Sequence, residues 1–148
     1  MTGISIQDAD FDAGREIAQL GADDPGSGAI ASFVGRVRGG DVAAMTLEHY
    51  PGMTEKALGE IVDQANARWQ LRRVRVIHRI GRLQPGDNIV FVGVSSAHRS
   101  DAFDACAFIM DYLKTRAPFW KKEETAAGAR WVDARESDET ALNRWADR

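Results

Sequence analysis

The chain has 148 residues, 44% of them hydrophobic and 28% charged, with a formal net charge of -3 at pH 7. That balance fits one folded domain over residues 1–148 and excludes a disordered or fibrous chain. The acidic total argues against a general nucleic-acid binder, and no apolar run approaches the ~20 residues of a bilayer span.

Residues 1–25 carry Asp8, Asp10, Asp12, Asp23 and Asp24 rather than a basic-then-apolar leader. With Cys106 as the lone cysteine, this predicts a cytoplasmic protein without an internal disulfide. The charge is uneven. Residues 72–82 hold five arginines and a histidine with no acid, while the tail from Asp133 holds five acids against three arginines. A basic stretch on an acidic protein points to a small anionic ligand or an acidic protein partner.

In chain order, Ile4 to Gln7 reads as a short strand. Phe11 to Leu20 has helical spacing and ends at Gly21, and "ADDPGSG" is a surface loop. "AIASFVGRVR" (29–38) and "AAMTLEHY" (43–50) read as strands around "GGD". "GMTEKALGEIVDQANARW" (52–69) is a helix with Thr54 as its expected N-cap and Ala57, Leu58, Ile61, Val62, Ala65 and Trp69 on one apolar face. "RRVRVIHRIGRL" (72–83) alternates, placing Val74, Val76, His78 and Ile80 opposite Arg73, Arg75, Ile77 and Arg79. "QPGD" turns the chain into "NIVFVGVSSA" (88–97), apolar on both faces and so a central strand. Ser100 is the expected cap of a helix whose buried stripe is Ala102, Phe103, Cys106, Ile109, Met110 and Leu113. Pro118 stops that helix, and "FWKKEE" and "ARWVDAR" are short strands. From Met45 onward the order is that of an α+β domain, a mostly antiparallel sheet with helices on one face.

"DYLKTRAPFWKKEE" (111–124) has two readings. Lysines in a last helical turn suit the negative dipole end and are mostly solvated. Yet Lys114 lies one turn after Met110, beside the apolar stripe, and the break at Pro118 lets Lys121 fold back toward it. Ammonium groups gathered in a half-buried pocket favour the neutral amine, the form that acts as base or nucleophile. "SSAHRSD" (95–101) sits where a strand meets a helix N-terminus. It is either a capped helix with exposed His98 and Arg99 or a place where free N–H groups and those side chains hold an anion. The two motifs lie at opposite ends of one helix, roughly 20 Å apart at ~1.5 Å per residue. "FVGRVRGG" puts Arg36 and Arg38 on one strand face without a phosphate-loop pattern. No Ser/His/Asp order, paired carboxylates or metal-ligand spacing stands out, and His98 has no such spacing to His49 or His78.

Taken together, "FVGRVR", "LEHYPGMTEKAL", "VIHRIGRLQPGD", "VFVGVSSAHRSDAF", "MDYLKTRAPFWKKE" and "RWVDARES" resemble the large, catalytic subunit of molybdopterin synthase, in family order over residues 29–138. The resemblance implies an α/β hammerhead fold and conversion of cyclic pyranopterin monophosphate to molybdopterin by installing two dithiolene sulfurs. The sulfur arrives as a thiocarboxylate on the C-terminal Gly-Gly of a small ubiquitin-like partner. The implied assembly is a heterotetramer around a homodimer of large subunits, and no metal or organic cofactor is called for.

By position, the resemblance makes Lys114 the acid–base catalyst or transient covalent partner, and makes Lys121 the residue that orients the thiocarboxylate and stabilises developing charge. Arg38, His98 and Arg99 match pterin- and phosphate-binding positions. Arg135 matches an arginine reaching the neighbouring subunit's pocket, and Phe33 and Met110 match apolar pocket walls. A site built across two chains would not need both ends of one helix. At "GGD" (39–41) the family often carries a longer, Asn-containing loop, so loop contacts to substrate are not carried over while Arg38 is. Cys106 reads as packing rather than sulfur carrier. The competing readings are a non-catalytic scaffold for the ubiquitin-like tail and an RNA-binding module using Arg73, Arg75 and Arg79. Intact Lys114, Lys121, His98 and Arg99 disfavour the scaffold. The acidic charge and the lack of stacking aromatics disfavour the RNA module.

Overall fold

The computed structural model describes residues 2–132, 136–143 and 145–146. Its elements in chain order are β1 (Thr2–Gln7), α1 (Ala13–Gly21), β2 (Ala29–Arg36), β3 (Val42–His49), α2 (Met53–Arg68), β4 (Leu71–Arg79), β5 (Gly81–Leu83), β6 (Asn88–Ser96), α3 (Arg99–Arg116), β7 (Phe119–Thr125), β8 (Gly128–Val132) and α4 (Glu136–Asn143). The strands form two sheets, ordered β1-β4-β6-β2 and β5-β3-β7-β8. Every described pairing is antiparallel except β1 with β4, in keeping with the α+β class.

The core follows from strand alternation. Val74 and Val76 of β4 and Val90, Val92 and Val94 of β6 face one way, against Leu58, Ile61 and Val62 of α2 and Ala105, Ile109 and Leu113 of α3. Ile77 and Phe91 face the other way, against Leu20 of α1. The two-sided apolarity of β6 thus has a simple cause: helices cover both faces of the first sheet. α2 and α3 share one face as expected from the sequence, and α1 takes the opposite one.

That placement also disposes of the arginine stretch. Arg73 donates to the carbonyls of Gln19 and Ala22 at 2.8 and 2.7 Å, the negative end of α1. Arg72 forms a two-point ion pair with Asp24 at 2.7 Å, Arg75 meets Glu16 at 3.4 Å, and Arg79 donates to the Asp8 and Asn88 carbonyls. Residues read from the sequence as a face for an anionic ligand or an acidic partner are instead engaged within the chain, and Arg73 and Arg75 hold α1 to its sheet.

The single strand expected over 72–83 is two. Ile80 donates its N–H to Gln7, and Gly81, at φ +90°, turns the chain into the second sheet. Only glycine adopts that backbone without strain. The caps differ too. α2 is capped by Gly52, whose N–H donates to Glu55 at 2.9 Å, and α3 by His98 rather than Ser100. Thr54 is fully buried: its hydroxyl accepts from the Tyr50 N–H and donates to the Pro118 carbonyl, both at 2.9 Å. Phe103, expected in the buried stripe, is 65% exposed at the stripe's edge. Phe108 is buried in its place among Trp69, Tyr112 and Trp145.

Candidate functional site

Where the first sheet ends and the second begins, a cleft of about 650 Å³ opens between them. The first sheet contributes Phe33, Val34 and Arg36 of β2, His78 of β4, and Ile89 and Val90 of β6. The second contributes Met45 and Leu47 of β3, Phe119, Lys121 and Glu123 of β7, and Arg130 and Val132 of β8. The last turn of α3 adds Lys114, and the segment after β2 adds Arg38 and Asp41.

Local structure explains how the lysines arrive. Lys114 occupies the last turn of α3, where the helix dipole favours a cation. Pro118 cannot continue the helix, Phe119 donates its N–H back to Ala117, and the chain reverses into β7. The Thr54 hydroxyl holds the Pro118 carbonyl at that reversal. Alternation along β7 then puts Phe119, Lys121 and Glu123 on the cleft face, with Lys121 opposite Leu47 of β3 and Val132 of β8. Arg38 lies two residues past the end of β2, not on the strand as read from the sequence. Its neighbour Val37 is tied to the 84–87 turn by Val37 N–H to Asp87 and Gly86 N–H to Val37, at 2.9 and 2.8 Å.

The electrostatics are lopsided. Arg36, Arg38, Lys114, Lys121 and Arg130 line the cleft against Asp41 and Glu123, an excess of three positive charges with His78 neutral. Part of that is already engaged: Arg36 donates to the Gly86 carbonyl at 2.9 Å, and Arg130 lies 3.8 Å from Glu123. The cleft of a chain with net charge -3 is therefore built for an anion. His78 is 5% exposed, and burial pushes its imidazole from 6.5 down to about 4. Its hydrogen bond to the Arg79 carbonyl opposes that shift, while the charges of Lys114 and His49 add to it. Cys106 points into the core, and burial pushes its thiol up to about 11, the state of an inert packing cysteine.

Of the residues singled out in the sequence, Lys114, Lys121, Arg38 and Phe33 share this cleft. Met110 is buried in the main core, one turn below Lys114, and does not line the cleft. His98 and Arg99 are exposed at the far end of α3, about 20 Å away by helix rise. Arg135 lies outside the described residues. Sequence reasoning missed Asp41, Glu123, Arg130 and the cleft position of His78. Glu123 was within reach, since it shares the alternation of Lys121. Arg130 required the β7–β8 register, in which it stands opposite Glu123.

The match to known proteins is nearly full-length. A family profile described as "MoaE protein" matches residues 6–116. The chain belongs to that family. It is 62% identical to the molybdopterin synthase catalytic subunit of Ralstonia nicotianae, over 98% of this chain and 85% of that one. It is also 62% identical to the molybdopterin synthase catalytic subunit of Escherichia coli, over 97% and 98% of the two chains. A solved molybdopterin biosynthesis MoaE protein from Burkholderia ambifaria superposes with a TM-score of 0.86 at 57% identity, covering 99% of each chain. The family match spans the α3 segment that carries Lys114 and stops before β7, which carries Lys121. Among the described residues no group of three or more His, Cys, Asp or Glu is arranged to hold a metal ion, and no helix is long and apolar enough to cross a membrane.

Proposed function

We infer that this chain is the sulfur-transferring catalytic subunit of a molybdopterin synthase, acting on a cyclic pterin monophosphate. The sulfur comes from the C-terminal thiocarboxylate of a small ubiquitin-like subunit. The observation that carries the reading is the cleft in which Lys114, Lys121 and Arg38 converge, in a chain about 62% identical to catalytic subunits of that enzyme. Both reactants are anionic, one through its phosphate and one through its thiocarboxylate. A cation about 4 Å from such a group contributes on the order of 4 kcal/mol in a half-buried setting, before desolvation.

Lys121, on the rigid β7 strand, orients the thiocarboxylate and balances the charge that develops as the carbon–sulfur bond changes partners. Lys114, on the more exposed end of α3, moves the proton or forms the transient covalent link. Arg38 holds the pterin phosphate. His98 and Arg99 cannot reach the same cleft from their own chain, so they serve the site of a second copy, with Arg135 reaching across between subunits. That arrangement is a dimer of large subunits with one small subunit at each end. Residues 1–148 act as one unit, in the cytoplasm, a reading supported by the lone cysteine.

The test is dithiolene formation in a purified mixture of this chain, thiocarboxylated small subunit and cyclic pterin substrate, beside Lys114→Ala. Loss of at least ~100-fold in the variant, with partner binding intact, is expected for a proton-transfer role. Equal product from both sinks the role of Lys114. Tight partner binding without product from the native chain favours a scaffold instead.

A further inference from the structure

Among the described ionisable residues of the cleft wall, His78 is the buried one, while the others are exposed or half-buried. Its ring is held on two sides. Nδ1 lies 2.8 Å from the Arg79 carbonyl oxygen, which can only accept, so Nδ1 carries the proton and Nε2 carries a lone pair. Phe119 stacks on the ring with centroids 3.7 Å apart and planes 15° apart.

Both contacts matter to the lysine pair. Phe119 precedes Lys121 by two residues on the same face of β7, so the stack sets where that strand starts. Lys114 lies near enough that its charge opposes protonation of the ring. A group that takes a proton only near pH 4 does not draw one from a lysine, so the ring serves as a fixed acceptor and not as a base.

We propose that His78 is a positioning residue of the sulfur-transfer site: its Nε2 lone pair accepts a hydrogen bond from the Lys114 ammonium when an anion fills the cleft, aiming the remaining N–H donors at that anion. This rests on the function proposed above. The same ring, through Phe119, keeps Lys121 in register with Lys114, so one side chain of the first sheet aligns both lysines.

The test uses the reconstituted enzyme with thiocarboxylated small subunit and cyclic pterin substrate. His78→Phe keeps an aromatic ring against Phe119 and removes the acceptor. It should lower kcat by ~10- to 100-fold with KM within about threefold. His78→Gln, with an amide oxygen near the position of Nε2, should recover kcat to within about fivefold of native. Native-like kcat in a folded His78→Phe overturns the proposal.

A second measurement covers the case in which His78→Phe fails to fold. The imidazole ¹⁵N resonances of the native chain and of Lys114→Ala, each saturated with inorganic phosphate, should differ at Nε2 and agree at Nδ1. Identical Nε2 resonances overturn the hydrogen bond, as does His78→Gln performing no better than His78→Phe. If the native chain makes no product, the parent reading fails and the role in sulfur transfer is overturned with it, while the NMR comparison still decides the His78–Lys114 hydrogen bond.

Discussion

Replacing Thr54 with valine removes one hydroxyl and strands two backbone groups behind the cleft. The Thr54 side chain is fully buried, accepts from the Tyr50 N–H and donates to the Pro118 carbonyl, each at 2.9 Å. Valine nearly matches its shape but offers neither function. Two part-buried groups left unpaired cost about 1–3 kcal/mol each, and the extra apolar surface of the methyl returns about 1 kcal/mol. The net loss should be roughly 1–5 kcal/mol. For a domain of this size that lowers the thermal midpoint by roughly 2–20 °C.

Urea unfolding followed by circular dichroism measures the loss directly, provided the slope with denaturant is unchanged. Thr54→Ser is the control: it keeps both hydrogen bonds and loses only a methyl, about 1 kcal/mol. Because Pro118 carries the reversal between Lys114 and Lys121, Thr54→Val should also lower sulfur transfer at temperatures where it is fully folded. A valine variant within about 0.5 kcal/mol of native, or a serine variant as damaged as valine, refutes the reasoning.

Three further outcomes follow from the same structure. His78 titrates at about 4 when folded and at 6.5 unfolded, so the unfolded chain takes up the proton first as pH falls. Its contribution is therefore complete above pH 6.5 and is lost between 6.5 and 4, by up to about 3 kcal/mol at ~1.4 kcal/mol per pKa unit. Urea melts at pH 7 and pH 4 should show the native chain losing that much more than His78→Phe, and parallel losses count against it. Cys106, whose thiol burial pushes up to about 11, should resist thiol reagents until the chain unfolds, and Cys106→Ser should turn over within about twofold of native. Gly28→Ala should destabilise by about 2 kcal/mol or more in the same melts. A Cβ there would clash with the Ala97 carbonyl oxygen, beside the Gly28 N–H to Ser96 bond. A neutral result would mean the backbone yields more easily than its hydrogen bonding suggests.

Much of this chain is written locally. The alternation of Val74, Val76 and His78, the helical stripe of Leu58, Ile61 and Val62, and the stop at Pro118 depend on covalent neighbours, so periodicity and turn chemistry reveal them. So does the reversal that brings Lys114 and Lys121 together, because helix, proline and strand follow one another within eight residues. Resemblance across long motifs carried the family, and it is the source of the lysine roles proposed above.

What needed the tertiary structure was every feature set by which strand pairs with which. Alternation says that a residue faces in or out of a sheet, but not which of two sheets, nor what covers the other side. The switch at Gly81, the arginines clamping α1 and the seat of His78 under Phe119 all arise from contacts between segments far apart in sequence. The cap moved from Thr54 to Gly52 for the same reason: the threonine hydroxyl found a better partner 64 positions away, at the Pro118 carbonyl. Local sequence decides which elements form; the pairing of distant strands decides that their charged ends meet in one cleft.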